Sequence, residues 1–448
     1  MLLAACLLAL GVVYTVGYLK LPSRWWYADD PAMFASADSV RNPVHIFTEP
    51  RIIRTLGGGN AMVPMQLLSF WVDVRLGGFS TQFAYAHQIG SFLLTALLLY
   101  ALLLHTLRHD RLAAFFLTVL WALLPSTLAV LQYISARHYL EGLLFSALAL
   151  NLLVRLPADG ARRGCFLTGI YLSLTAAILC KETYVALLPA VLLVVAWQRR
   201  ERILAAGAAA VTLAYAAYRF WLLGPVFAYG MPYLTTRHYA KFLTKLPYAL
   251  ASNYGGYLLA ALMAAACIRF VWRGRENRRA VLLAVLAAAL SLAAIAPVSY
   301  ALYGGIRTPG TGYRIVFLLN TQAVLCAGVM AVRTTGRSVQ ALILAVAFAV
   351  LGVGAHKTRT LWDGITASAR LEGNFYLNNT DKILLSQEEA WWFIPSVHWM
   401  YGVKEPHYVL ANRKTAGRVA PGTPVWRLRG GEFVAERLGA AGGQNVPD

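Results

Sequence analysis

Asp29 and Asp30 stand side by side in WWYADDPAMFAS, directly after three aromatic residues. Adjacent carboxylates repel, so a chain that is 58% hydrophobic needs a reason to keep them together. One role is a helix-capping turn, since Asp before Pro31 is a favourable N-cap with proline in the first turn. The other is a general base, its partner raising its pKa or sharing a divalent cation such as Mg or Mn. Lys181 and Glu182, in ILCKETYVALLPA, interrupt sequence that is otherwise apolar from Cys165 to Trp197. A tight interhelical turn explains them, yet ionisable residues beside hydrocarbon are costly and by default mark sites. Arg137 and His138, in YISARHYLEG, fit interfacial snorkelling equally well. Arg237, His238, Lys241 and Lys245 (TTRHYAKFLTK) and Arg307 and Arg314 (GGIRTPGTGYR) stand among tyrosines or glycines with almost no acidic companions. Arg grips a phosphate bidentately, while Tyr packs a ring face against a sugar or an isoprenoid chain.

The elements that must position these residues are membrane helices. Only 13% of the 448 residues are charged, mean hydropathy is +0.56, and apolar runs of about 18 or more residues recur. Eleven spans are expected, near 2–19, 82–106, 113–131, 139–155, 165–180, 184–197, 203–223, 246–270, 280–300, 314–332 and 339–355. The net charge of +20 is not one stripe, which speaks against nucleic acid. It sits in short even-numbered loops, at Arg108 and Arg111, Arg155 to Arg163, Arg199 to Arg202, Arg273 to Arg279, and Arg333 and Arg337. The positive-inside rule makes those loops and the N-terminus cytoplasmic. The odd-numbered loops, and with them every residue of the preceding paragraph, then face outward. Cationic residues there run against the bias and suggest an anionic ligand.

The opening MLLAACLLALGVVYTVGYL lacks a basic start and a small-residue cleavage site, and reads as a retained signal-anchor. In the long loop 20–81, Met62 to Leu76 is expected to form an amphipathic helix on the membrane surface, after Gly57-Gly58-Gly59. The fold class is therefore an all-α polytopic membrane protein: a domain over 1–355, then a small extracytoplasmic α+β appendage over 356–448. In that appendage YVLAN and PVWRLRGGEFVAE read as strands, the second a hairpin at Gly430-Gly431, and the last ten residues as disordered. The five cysteines have no metal-ligand spacing.

Four stretches together resemble the GT-C class of polytopic glycosyltransferases: YADDPAMFASADSVRNP, VPMQLLSFWVDVRLGGFSTQFAYAH, YISARHYLEGLLFSALALNLLVR and LCKETYVALLPAVLLV. The chain is most similar to the O-mannosyltransferase-like proteins related to the transmembrane-and-TPR mannosyltransferases. The likeness covers about residues 1–200 and fades beyond. Val63-Pro64 replaces the relatives' Arg-Pro, Gly90 replaces an Asn after His87, and no 34-residue repeat follows.

The resemblance implies a GT-C fold and transfer of a sugar from a polyprenyl-phosphate donor to a hydroxyl of a protein or cell-envelope glycan. Transfer would be inverting, at the outer face of an inner membrane. It implies Asp29 as catalytic base with Asp30 as its partner. Lys181, Glu182, Arg137 and His138 would surround the donor phosphate or the catalytic loop, with His87, Tyr184 and the basic residues Arg237, Lys241, Arg307 and Arg314 contacting substrate. Members differ in their use of a divalent metal, so one held by Asp29 and Asp30 stays open. The alternative is a transporter or flippase of lipid-linked sugars, which should place ionisable residues mid-span and show inverted repeats. No such repeat is evident.

Overall fold

The computed structural model describes residues 1–27, 29–55, 62–185, 202–224, 257–274 and 316–379. It also describes 382–386, 408–410, 422–429 and 431–437, with isolated positions 244, 278, 281, 282, 285, 289 and 314. The expected spans at 184–197 and 280–300, the triglycine and the last ten residues lie almost wholly outside them.

The N-terminal half is a set of helices: α1 (Leu2–Val12), α2 (Asp30–Ser39), α3 (His45–Thr48), α4 (Pro50–Thr55), α5 (Pro64–Gly77), α6 (Thr81–Thr106), α7 (Arg111–Ala122), α8 (Pro125–Gln132), α9 (Arg137–Val154) and α10 (Ala161–Cys180). Further helices run over Arg202–Leu223, Tyr257–Trp272, Phe317–Thr334 and Arg337–Asn378. Boundaries follow local chemistry: the Ser80 hydroxyl accepts from Phe83 N at the start of α6, and Asp110 accepts from Ala113 N at the start of α7.

The protein is helical and membrane-embedded. Among the described residues six helices are long and apolar enough to cross a membrane, or seven if α7 and α8 are one broken span; the count of eleven goes beyond this. The expected span 113–131 bends by 58° between α7 and α8. Pro125 opens α8, and a proline cannot donate to the preceding turn. The expected fourth span forms as α9, but it carries Arg137, His138 and Glu141 in its first turns, all buried.

Two expectations change in form. The Met62–Leu76 segment is helical, but α5 buries Gln66, Ser69 and Asp73 together with Leu67, Phe70 and Val74. Its polar residues point into protein, where they find hydrogen-bond partners, so the helix is packed inside the fold rather than laid on a surface. The expected boundary at 356 is not a break in the backbone, because one helix runs from Arg337 to Asn378, 42 residues. At 1.5 Å per residue it is about 63 Å long, roughly twice the hydrocarbon thickness of a bilayer. Its far half returns to the N-terminal entry loop. Buried Arg24 reaches Asp363 Oδ1 at 2.6 Å and Thr366 Oγ1 at 3.0 Å, and Arg359 lies 4.3 Å over the Tyr18 ring.

The appendage is a four-stranded sheet in the order β2-β1-β3-β4, with β1 (Ile383–Ser386), β2 (Tyr408–Leu410), β3 (Pro424–Arg429) and β4 (Glu432–Arg437). The expected hairpin is β3 with β4, antiparallel, pairing Trp426 with Ala435. β1, unforeseen, pairs in parallel with both β2 and β3. Phe433 stacks on Phe375 of the long helix with ring centroids 3.9 Å apart, joining the sheet to the helix end.

Candidate active site

Asp29 takes the N-cap position of α2 and Pro31 lies in its first turn, but the Asp29 side chain makes no cap bond. Its carboxylate turns toward the end of the broken helix, where the Tyr133 hydroxyl donates to Oδ2 at 2.7 Å. No hydrogen bond to the other oxygen occurs among the described residues, and the residue is half-buried. Asp30 is the opposite. It is fully buried; Oδ1 accepts from Ser135 N at 2.7 Å and from Ser135 Oγ at 2.6 Å, and Oδ2 from Tyr27 N at 3.0 Å. Burial pushes the Asp30 carboxyl up to about 7, against the pull of the donated bonds from Ser135 and Tyr27. Asp30 is thus a strut between the entry loop and the turn after α8, while Asp29 keeps an acceptor to offer.

Tyr133 is the hub. The Arg314 guanidinium lies 4.5 Å over its ring, Tyr27 meets it edge-on at 5.5 Å, and Trp362 of the long helix lies 6.1 Å away. Arg314 is within electrostatic range of Asp29, Tyr27 and Tyr139. His138 follows, within range of both Arg314 and Lys181. Among the described residues neither of its ring nitrogens has a hydrogen-bond partner of good geometry, although the Ser135 backbone approaches. Lys181 is buried with its Nζ 5.4 Å from the centre of the Tyr139 ring. Asp29, Tyr133, Arg314, His138 and Lys181 therefore form one chain of neighbours, drawn from the entry loop, α9, the turn after α10 and the approach to the Phe317–Thr334 helix. A buried lysine, a half-buried arginine and an imidazole without a well-formed hydrogen bond among the described residues, strung out from one carboxylate, call for a ligand, because unsatisfied buried polar groups are rare without one.

The remaining expected residues serve the frame. Arg137 is fully buried and donates to Gln88 Oε1 (3.0 Å), Ser69 Oγ (3.1 Å), the Ala84 carbonyl (2.7 Å) and Asp73 Oδ2, with its guanidinium 5.1 Å from the centre of the Phe70 ring. Its donors are spent inside the protein. His87 joins that network through Asp73 Oδ1 at 2.6 Å and does not reach Asp29. Glu182 accepts from Arg219 Nε at 2.9 Å and from Met62 N at 3.3 Å, clamping the turn after α10 to the Arg202–Leu223 helix. Tyr184 is buried, donates to the Tyr139 carbonyl, and presses its ring against Gly142, where an added Cβ would sit 2.2 Å from it. Arg237, His238, Lys241, Lys245 and Arg307 lie outside the described residues.

Among the described residues no group of three His, Cys, Asp or Glu side chains is arranged to hold a metal. With the Asp30 oxygens both engaged, Asp29 is the carboxylate of the pair that has an oxygen to lend a cation. Sequence reasoning gave no role to Tyr133, Ser135 or Trp362. Tyr133 and Ser135 stand in the same YISARH segment as Arg137, four and two residues before it, so the segment itself was the signal. Nothing in the sequence around Trp362 marks it. No family model, curated protein or solved structure matches the chain.

Proposed function

We propose that this protein is an integral-membrane glycosyltransferase of GT-C type. It would transfer a sugar from a polyprenyl-phosphate donor to an acceptor hydroxyl at the extracytoplasmic face of an inner membrane. The observation that carries this reading is one half-free carboxylate, Asp29, beside the half-buried cation Arg314, with buried Lys181 next in the same chain of neighbours through His138. The distribution of basic loops supports the orientation.

In the reaction the acceptor oxygen attacks the anomeric carbon as its proton passes to the open Asp29 oxygen. The anomeric C–O bond to the phosphate breaks, and configuration inverts. The electron pair leaves on the phosphate oxygen, whose charge Lys181 and Arg314 meet in a site that excludes water. A phosphate leaving group needs no proton, so His138 acts as a hydrogen-bond donor to it rather than as an acid. Tyr133 holds the second Asp29 oxygen and fixes which one faces the acceptor. Arg137, Glu182 and Tyr184 hold α9 and the turn after α10 in register. A divalent cation, where one takes part, would bind at Asp29 and the donor phosphate.

The transporter alternative draws on the 58° break between α7 and α8. That break carries Pro125 and delivers Tyr133 to Asp29, so it is accounted for by the enzyme reading. Wild type and Asp29→Asn, each purified and folded, are incubated with a panel of polyprenyl-phosphate sugars and with protein or glycan acceptors. Transfer by wild type that is lost in the variant supports the proposal. Equal turnover by the two proteins overturns the assignment of the base.

A further inference from the structure

His87 and Glu141 point to a second site, away from Asp29. A groove runs between α5, α6 and α9, with apolar walls from Leu68 and Val72, Leu94, and Leu144 and Phe145. α6 is one of the helices long and apolar enough to cross a membrane, and its Leu94 is 49% exposed. The walls therefore face the acyl chains of a bilayer. The floor is polar, built from Ser69, His87 and Glu141.

The bonding of that floor leaves one group unspent. Asp73 accepts from Arg137 and is bonded to His87 Nδ1. The Ser69 hydroxyl donates to Glu141 Oε1 at 2.7 Å, and His87 Nε2 lies 3.5 Å from the same oxygen. Glu141 Oε2 has no partner among the described residues. The residue is only 8% exposed, and it lines the groove. Two carboxylates, Asp73 and Glu141, stand around one guanidinium, with the His87 imidazole between them, and the free oxygen of Glu141 is the one turned to the groove. An ionisable side chain at membrane depth with an open acceptor calls for a cationic partner.

We propose that this groove binds a phospholipid whose headgroup ends in a primary ammonium, which donates to Glu141 Oε2 while an acyl chain follows the apolar walls. A quaternary ammonium carries the charge but has no N–H to donate. An anionic headgroup, or the phosphate of a polyprenyl donor, brings acceptors to an acceptor. The inference is independent of glycosyl transfer, because the groove shares none of the Asp29 cluster.

Native mass spectrometry of the full chain tests it, with phosphatidylethanolamine, phosphatidylcholine or phosphatidylglycerol of identical acyl chains added in turn. Wild type should bind phosphatidylethanolamine about tenfold more tightly than either other lipid, the worth of one charge-assisted hydrogen bond. Glu141→Gln should bring the three affinities together. Gly90→Leu is the second variant: Gly90 lines the groove and a Cβ there meets nothing within 4 Å, so the side chain fills the groove without straining the helix. It should lower phosphatidylethanolamine binding about tenfold, the same hydrogen bond being denied by blockage. Equal affinities in wild type, or a preference for phosphatidylglycerol, overturn the proposal. A Glu141→Gln protein that keeps the preference overturns the headgroup assignment, and a Gly90→Leu protein that keeps it overturns the location.

Discussion

Arg137 and Asp29 meet the two ends of the segment Tyr133–Arg137, Asp29 by bonding to Tyr133 and Arg137 by closing it, and they spend their bonding capacity in opposite ways. Arg137 donates to Asp73, Ser69, Gln88 and the Ala84 carbonyl, and so ties α5, α6 and α9 together from a fully buried position. Asp29 receives one hydroxyl, from Tyr133, and keeps an oxygen open toward Arg314 and the groups beyond it. Both are polar residues in an apolar chain, and both look expensive in the sequence. The difference is that every Arg137 donor is met inside the protein, while the chain from Asp29 ends in His138, whose ring nitrogens make no well-formed hydrogen bond among the described residues. A side chain whose bonds are all met within the protein stabilises a fold, whereas one with capacity to spare is poised for a ligand.

Breaking the Arg137 bonds should cost stability first. Arg137→Met leaves the buried Asp73 carboxylate without its guanidinium and with His87 alone beside it, and the expected loss is about 3–5 kcal/mol. Chemical unfolding in detergent measures it, with donor binding following only as folded protein disappears. Breaking the chain from Asp29 should cost chemistry instead. Lys181→Met removes a cation aimed at the leaving phosphate and should lower turnover by about 10²–10³-fold at an unchanged unfolding midpoint. Gly142→Ala should destabilise by about 1–3 kcal/mol, since the added methyl meets the Tyr184 ring that locks α9 to the turn after α10. A normal unfolding midpoint in that variant would show that the two elements are not locked there.

The last effect concerns Asp30 and is read as a slope with pH. Its carboxyl titrates near 7 in the folded protein and near 3.8 when unfolded. Between about pH 4 and 7 the folded state holds a proton that the unfolded state has released. The unfolding free energy contributed by Asp30 therefore falls as pH rises through this window and levels off above it. Unfolding midpoints from pH 4 to 8 should show this slope in wild type and a flatter one in Asp30→Asn. The expectation is the reverse of the usual behaviour of a salt-bridged carboxylate, which makes the slope diagnostic.

Much of this was legible in the sequence where a polar residue interrupts an apolar run. Asp29, Lys181, His138 and Arg314 were all marked that way, and the structure brings them into one neighbourhood. What the sequence did not tell apart was Arg137 from Lys181, because the distinction lies in how many partners each finds across the fold. Asp73, in LLSFWVDVRL, was the one hint that Arg137 is answered internally. The helix beyond residue 355 was missed for another reason. Its polar composition reads as a tail, yet Ala355, Thr358, Trp362, Thr366 and Ala369 are buried at helical spacing. The stripe is narrow and made partly of small residues, so hydropathy alone passes over it. β1 was missed because a parallel strand in the middle of a small sheet carries no hairpin turn to announce it.

The central claim is that Asp29 is the base and Asp30 its support. The most direct measurement is the single-turnover rate of sugar transfer from a polyprenyl-phosphate donor, in nanodiscs, by wild type and Asp29→Asn at matched unfolding midpoints. A fall of about 10²–10⁴-fold in the variant is the predicted result. Transfer at the wild-type rate by a folded Asp29→Asn protein would contradict it.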